Sequence, residues 1–245
     1  MAVSIDTVYQ TVLALASKDQ KGYITPQEFN LFAKMAQVDI FEQYFYDLDQ
    51  FKRNPGSSDP TVDMVNLIED KISIFHMAPT LDATNLQSDG NTKFIVPEDF
   101  YRFKSARTGS SHNDVGIEKL SRNDFWQANQ SPLTKGSLTR PNCYMQNEGY
   151  EPNSEIWVNP SGILKLYLNY IRKPLSPKWT YITIGDTAIF NPSVDAGWQD
   201  FELHPSEEKS LVDKILKYSG TSTRDQYLGQ VGAAEEQMNI QQEKR

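Results

Sequence analysis

The 245 residues include 24 Lys and Arg against 32 Asp and Glu, a formal charge of −8, with 38% hydrophobic residues and a single cysteine, Cys143. That balance argues against tight nucleic-acid binding as the main task, which normally needs a basic excess. One cysteine excludes an intramolecular disulfide and a thiolate metal cluster. The longest apolar run, 12–16, falls far short of the ~20 residues that span a bilayer.

In chain order, the first predicted element is a helix with Ser4 as N-cap and Ile5, Val8, Tyr9, Val12, Leu13 and Ala16 on one face. The polar stretch 18–22 stops it. Thr25 and Glu28 then make a capping-box pattern with Pro26 at the first helical position. A long helix follows, with Phe29, Phe32, Ala33, Ala36, Ile40, Tyr44, Leu48 and Phe51 as its apolar stripe, and Asn54-Pro55-Gly56 ends it. A third helix opens at Asp59-Pro60 and carries Val62, Val65, Ile68, Ile72 and Phe75 on one side.

Residues 79–150 are rich in Ser, Asn, Asp, Gly and Pro and predict short strands at 93–96, 115–120 and 143–146 between long loops. Strands at 156–158 and 163–171 flank the turn Asn159-Pro160-Ser161-Gly162. In the second, Leu164, Leu166, Leu168 and Tyr170 face one side. Ile163, Tyr167 and Ile171 share the other with Lys165 and Asn169, which predicts cover on much of both faces. Pro174 and Pro177 interrupt the run and 181–184 resumes it. A helix from Pro205-Ser206 presents Leu211, Val212, Ile215, Leu216 and Tyr218, and Ser219-Gly220 is its predicted stop. The remainder, to Arg245, has helix-forming composition without a core-facing stripe, so it is expected to dock on another protein or stay disordered.

The predicted fold is therefore α+β: N-terminal and C-terminal helices packed together, a central antiparallel β-rich body, and an extended C-terminal tail. The expected divisions are 1–78 (helical), 79–204 (β-rich with long loops), 205–220 (a helix packing on the N-terminal helices) and 221–245 (the docking tail). No leading charged and apolar segment marks secretion, so folding in a cytoplasm is expected.

Chemistry is sparse along the chain. Ser17 to Glu28 has the length of a calcium-binding loop, with Gly22 sixth, Ile24 eighth and Glu28 twelfth. Ser17 stands first where an aspartate belongs, and Lys21 puts a cation at a ligand position, so the turn and cap explain these residues without metal. His76, His112 and His204 are far apart. Gly109-Ser110-Ser111 is followed by no phosphate-binding lysine. The carboxylate pairs Glu69/Asp70, Glu207/Glu208 and Glu235/Glu236 fit solvated helix faces. Trp126, Trp157, Trp179 and Trp198 fit core positions better than a sugar- or base-stacking platform. No catalytic, cofactor or metal residue is assigned, no cofactor is expected, and the chain is not expected to be an enzyme.

Three stretches carry a resemblance. Gly22-Tyr23-Ile24-Thr25-Pro26-Gln27-Glu28-Phe29-Asn30, continuing through Phe41-Glu42-Gln43-Tyr44-Phe45-Tyr46, resembles the opening of virion structural proteins of crAss-like and related Bacteroidota tailed phages. Leu166-Tyr167-Leu168-Asn169-Tyr170-Ile171-Arg172-Lys173-Pro174, then Pro177-Lys178-Trp179-Thr180-Tyr181, resembles a tyrosine-and-proline signature of the same proteins. Gly232-Ala233-Ala234-Glu235-Glu236-Gln237 to Glu243-Lys244 is similar to their C-terminal tails. Residues 79–150 match no such stretch.

The resemblance implies a ring protein of the neck, a head-to-tail connector or adaptor below the portal, usually twelvefold. It extends the DNA channel, and its tail reaches up to the portal. The implied partners are further copies of the chain, the portal protein and neighbouring neck or tail rings, with genomic DNA only in passage and no membrane. The location is the virion. An acidic surface is compatible with a passage in which DNA slides without sticking. The tail contacts expected at the portal are Tyr227, Leu228, Met238 and Ile240, with Arg224, Lys244 and Arg245 adding charge pairs. Rival readings are a lower neck ring, gatekeeper or tail-tube component, a glycan-binding host-recognition module using the tryptophans, and a calcium-binding regulator.

Overall fold

The computed structural model describes residues 3–18, 24–53, 59–86, 90–108, 115–146, 154–185, 187–193, 197–222 and 237. These form an α+β protein with five α-helices among the described residues. The chain divides into two compact units: 1–74 with 174–245, and 75–173. The β-rich unit is thus inserted, in sequence, into a helical unit built from both ends of the chain. The stretch 174–204, expected with the β body, belongs with the helices.

In the helical unit, α1 spans Ile5–Lys18, α2 Pro26–Arg53 and α3 Asp59–Ser73. Both predicted starts have the geometry of caps. Ser4 Oγ accepts the Thr7 N–H at 3.4 Å. Thr25 Oγ1 accepts the Glu28 N–H at 3.3 Å, while Glu28 Oε2 accepts the Thr25 N–H at 3.0 Å and its hydroxyl at 2.7 Å. These bonds hold the Glu28 carboxyl below its ordinary range.

The helix expected from Pro205 begins as a single 3-10 turn at Pro205–Glu207, and α5 runs over Glu208–Ser222. It does not stop at Ser219-Gly220. Both residues are buried inside the helix, a position where glycine's lack of a side chain is compatible with close packing. α5 packs on α1 and α2.

The predicted stripe of α2 is buried at Phe29, Ala33, Ala36, Ile40, Tyr44 and Leu48, but Gln37, Phe41 and Phe45 are buried too. The helix touches α3, α5 and the returning segment 174–204, so a single narrow stripe is not wide enough to serve it. Gln37 is the polar anchor of that segment: its amide donates to Leu175 O at 2.7 Å and accepts the Glu202 N–H at 3.1 Å.

Trp179 fixes the same segment more deeply. It is 1% exposed, lies 4.1 Å from the Tyr9 ring, and Tyr9 meets Phe29 at 4.8 Å. Its indole N–H donates to Asp6 Oδ1 at 3.0 Å. Its backbone N–H donates to Asn30 Oδ1 at 2.8 Å, and its carbonyl accepts from Asn30 Nδ2 at 3.0 Å. A side-chain amide so placed pairs with the tryptophan's backbone as a neighbouring strand would. Nearby, Asp200 Oδ1 accepts the Ile5 N–H at 2.9 Å, so the returning chain also caps α1.

The β unit holds a nine-stranded sheet in the order β1-β9-β5-β6-β7-β8-β4-β3, with β2 also on β9. Its strands are β1 His76–Met77, β2 Thr80–Asp82, β3 Asn85–Leu86, β4 Thr92–Ile95, β5 Phe100–Thr108, β6 Gly116–Lys119, β7 Asn142–Gln146, β8 Glu155–Asn159 and β9 Lys165–Arg172. The sheet is mixed, not wholly antiparallel as expected. β6 and β7 pair parallel, and the crossover such a pair needs is supplied by α4, Arg122–Gln130. Ser121 caps α4, accepting the Asp124 N–H at 3.2 Å.

The core of this unit gathers Phe94, Phe100, Ile156, Val158, Leu166, Leu168 and Tyr170 around Cys143. β9 keeps its predicted inner face, but Leu164 precedes the strand and is exposed. On the outer side Lys165 and Tyr167 are exposed while Ile171 is buried, so cover on both faces holds only at that end.

A polar cluster pins the loop after α4. Asn129 Oδ1 accepts from Gly136 N at 3.3 Å and from Asn142 Nδ2 at 3.4 Å; Asn159 Nδ2 donates to Asn91 Oδ1 at 2.9 Å. A Cβ on Gly136 would stand 2.7 Å from Asn159 O, 2.8 Å from its Oδ1 and 2.9 Å from Asn142 Oδ1.

Two stability predictions follow from these packings. In urea unfolding, Trp179→Ala is expected to remove about 3–5 kcal/mol, and Trp179→Phe a smaller loss of about 1–3 kcal/mol by orphaning Asp6. An alanine variant as stable as the parent would contradict the anchoring role. Gly136→Ala is expected to cost about 1–3 kcal/mol through overpacking, read from the same unfolding curves; a neutral result would mean the loop shifts freely.

Candidate interaction surfaces

The seven expected tail contacts, Arg224, Tyr227, Leu228, Met238, Ile240, Lys244 and Arg245, lie outside the described residues, as do His112, Asp19, Gly22 and Glu235/Glu236. The other candidate groups are placed. Cys143 is fully buried on β7, and burial pushes its thiol up to about 12. His76 is exposed at the start of β1. His204 caps the 3-10 turn, its Nδ1 accepting the Ser206 N–H at 3.3 Å.

Of the carboxylate pairs, Glu69 meets Lys52 at 2.8 Å in an exposed ion pair. Glu207 departs from the solvated-face expectation: it is buried and bonded to Lys71 Nζ at 2.6 Å, joining α3 to the start of α5. Among the described residues no three His, Cys, Asp or Glu side chains gather as metal ligands, and no helix is long and apolar enough to cross a membrane.

What the described surface offers instead is exposed apolar area. In the helical unit, β10 (Tyr181–Ile184) and β11 (Thr187–Phe190) form a separate antiparallel hairpin. Its register pairs Tyr181 with Phe190 and Ile182 with Ile189, so alternate residues divide cleanly between two faces. Tyr181 and Phe190 stack on Trp179, with centroids 5.7 and 6.0 Å away. The opposite face presents Ile182, Ile184 and Ile189 at 53%, 64% and 49% exposure. A two-stranded hairpin is marginal in water by itself, and here only one face is packed.

α2 adds a second outward stripe. Leu31, Met35, Val38, Glu42, Tyr46 and Asp49 recur at helical spacing, all exposed. Between Lys34 and Lys52 this helix carries Asp39, Glu42, Asp47 and Asp49 and no basic residue.

In the β unit, Trp126 of α4, Tyr144 of β7 and Trp157 of β8 form a row with centroids 6.4 and 6.1 Å apart. Trp126 is 44% exposed. Trp157 Nε1–H donates to Glu155 Oε2 at 3.2 Å, and Glu155 pairs with Lys93 at 2.5 Å. Of the four tryptophans only Trp179 is fully buried. The strand expected at 181–184 is the first half of the hairpin, while for its packing partner, Trp179, the sequence indicates a core position without a location.

No protein-family model matches the chain, and no curated protein matches it.

The buried acids predict a pH dependence. Burial raises Cys143 and Tyr144 above their ordinary 9.0 and 10.0, and Tyr170 further, through burial and then its hydrogen bond to Asp99 at 2.7 Å. The unfolded thiol releases its proton from about pH 9, the folded one only through about 12, so its stabilising contribution is complete below pH 9 and is lost as pH rises to 12. Urea unfolding from pH 8 upward should show that decline, with a shallower slope in Cys143→Ala. An unchanged slope, or a native thiol that reacts with disulfide reagents as fast as the denatured one, would contradict it.

Proposed function

We propose that this chain is a structural protein of a tailed-phage virion, a ring-forming connector of the neck that joins the portal to the tail and extends the DNA channel. The observation that carries this reading is the hairpin with its bare isoleucine face. It is held by Trp179 within the stretch Pro177-Lys178-Trp179-Thr180-Tyr181 that resembles virion structural proteins. Contiguous exposed apolar area of this kind marks protein–protein contact. The work is mechanical. Packing of one subunit against the next closes a ring if the rotation closes, and the hairpin and the tail 221–245 meet neighbouring rings. The position directly below the portal, as adaptor, is the first reading; a lower neck ring, gatekeeper or tail-tube component uses the same surfaces.

A second reading, glycan recognition, is favoured by one observation: half-exposed Trp126 at one end of an aromatic row whose other end, Trp157, is bonded to Glu155 of the polar Glu155–Lys93 pair. Tryptophan quenching on titration with host-surface glycans separates it from the first, which expects no change.

Native mass spectrometry of the chain mixed with portal rings from the same phage tests the adaptor position. Stoichiometric loading is expected, lost on deleting 221–245 and weakened by Ile182→Ser with Ile184→Ser, each variant keeping its circular dichroism spectrum. No loading of the parent chain would remove it from the portal and leave the lower rings.

A further inference from the structure

The charge of this chain is divided very unevenly between its two units. The helical unit holds thirteen basic and twenty-two acidic residues, net −9; the β unit holds eleven and ten, net +1. Within the β unit the basic residues concentrate on its longest strand pair. β5 carries Arg102, Lys104 and Arg107, β9 carries Lys165 and Arg172, and neither strand holds an acid.

The register sets part of these on one face. Arg107 lies opposite Tyr167, which lies opposite Thr80 of β2; Ser105 lies opposite Asn169, whose amide donates to Ser105 Oγ at 3.0 Å. Lys165 shares this side of β9, with Asp82 of β2 opposite it. Lys104 falls at a bulge between Phe103 and Ser105 and is exposed as well. Leu166, Leu168 and Tyr170 take the other face into the core. The outer face is therefore basic and hydrogen-bonding around an exposed tyrosine, with Asp82 and, on β6, Glu118 as its exposed acids.

The outward stripe of α2 has the opposite character: Glu42 and Asp49 among Met35, Val38 and Tyr46. We infer that the outer face of β5 and β9 on one copy docks on the outward α2 stripe of the next copy, making the lateral contact of the ring. The inference rests on the ring reading above. The occupant is a second copy because the complementary surface, acidic with apolar residues between the charges, is carried by the same chain. Two different surfaces meeting this way give a head-to-tail contact, the kind that closes a ring or extends a filament. Charge complementarity sets the register and speeds encounter, while the apolar and aromatic residues supply burial. A nucleic acid is the other polyanion this face would attract, but a net charge of +1 over the unit is a small footprint for one.

The test is a charge swap in the full chain. Arg107→Glu with Lys165→Glu makes one variant and Glu42→Lys with Asp49→Lys the other. Self-association is followed by sedimentation velocity, alone and on portal rings. Each variant by itself should associate roughly tenfold more weakly or worse than the parent, and more so at low salt. An equimolar mixture of the two should recover association as mixed pairs, a result that general misfolding does not give. Parent-like association by both variants would overturn this interface and leave the ring reading standing. No association by the parent, alone or on portal rings, would overturn this interface together with the adaptor position. If the β-face variant loses binding to a labelled DNA duplex yet associates normally, the face serves nucleic acid and the inference fails.

Discussion

The helical unit depends on the burial of Trp179. This side chain lies between α1 and α2, and its indole N–H and both its backbone groups are satisfied by Asp6 and Asn30. Leaving any of these polar groups unpaired in a buried site is costly, so the tryptophan and the two helices specify one another. Gln37 repeats the arrangement two turns further along the same face of α2, bonding Leu175 and Glu202. Together they bring residues 174–204 back to the N-terminal helices after 99 residues spent in the β unit. They also fix the base of the hairpin, whose Tyr181 and Phe190 stack on the same indole.

Much of the helical part was legible because its signals are local. Ser4, Thr25 and Glu28 cap at their expected places, and the apolar spacing of α1, α2 and α5 is buried at most of its expected positions, with Leu13, Phe32, Phe51 and Tyr218 only partly buried. The misses have physical causes. β5, nine residues long, was not predicted because two bulges and three basic residues break its alternation. α4 hides behind a Ser121-x-x-Asp124 cap in a polar stretch whose only buried residue is Phe125. Phe75, read on the third helix, lies beyond its end at Ser73 and belongs to the β unit. The helix stop at Ser219-Gly220 failed because tertiary packing buries both residues and outweighs glycine's weak propensity. The place of 174–204 follows from contacts nearly 150 residues apart in sequence, which no local pattern carries.

The candidate site was less legible than the fold. The tail contacts expected at the portal fall outside the described residues. The surfaces that the structure brings forward are the isoleucine face of the hairpin, the outward stripe of α2 and the basic face of β5 and β9. Each depends on which side of an element is packed, and a single sequence shows a face only as a periodicity. For the hairpin both faces are apolar, so periodicity could not say which one would be left bare. An interface protein is under this handicap generally, because the residues that matter for assembly look like core residues until the core is known.

The proposed role makes a direct claim about place. Electron cryo-microscopy of the virion neck, at a resolution that traces side chains, tests it most directly. The account predicts repeated copies of this chain in a closed ring between portal and tail, with Ile182, Ile184 and Ile189 buried against a neighbouring protein. A particle that lacks the chain, or carries it away from the neck with those isoleucines in solvent, would contradict the account.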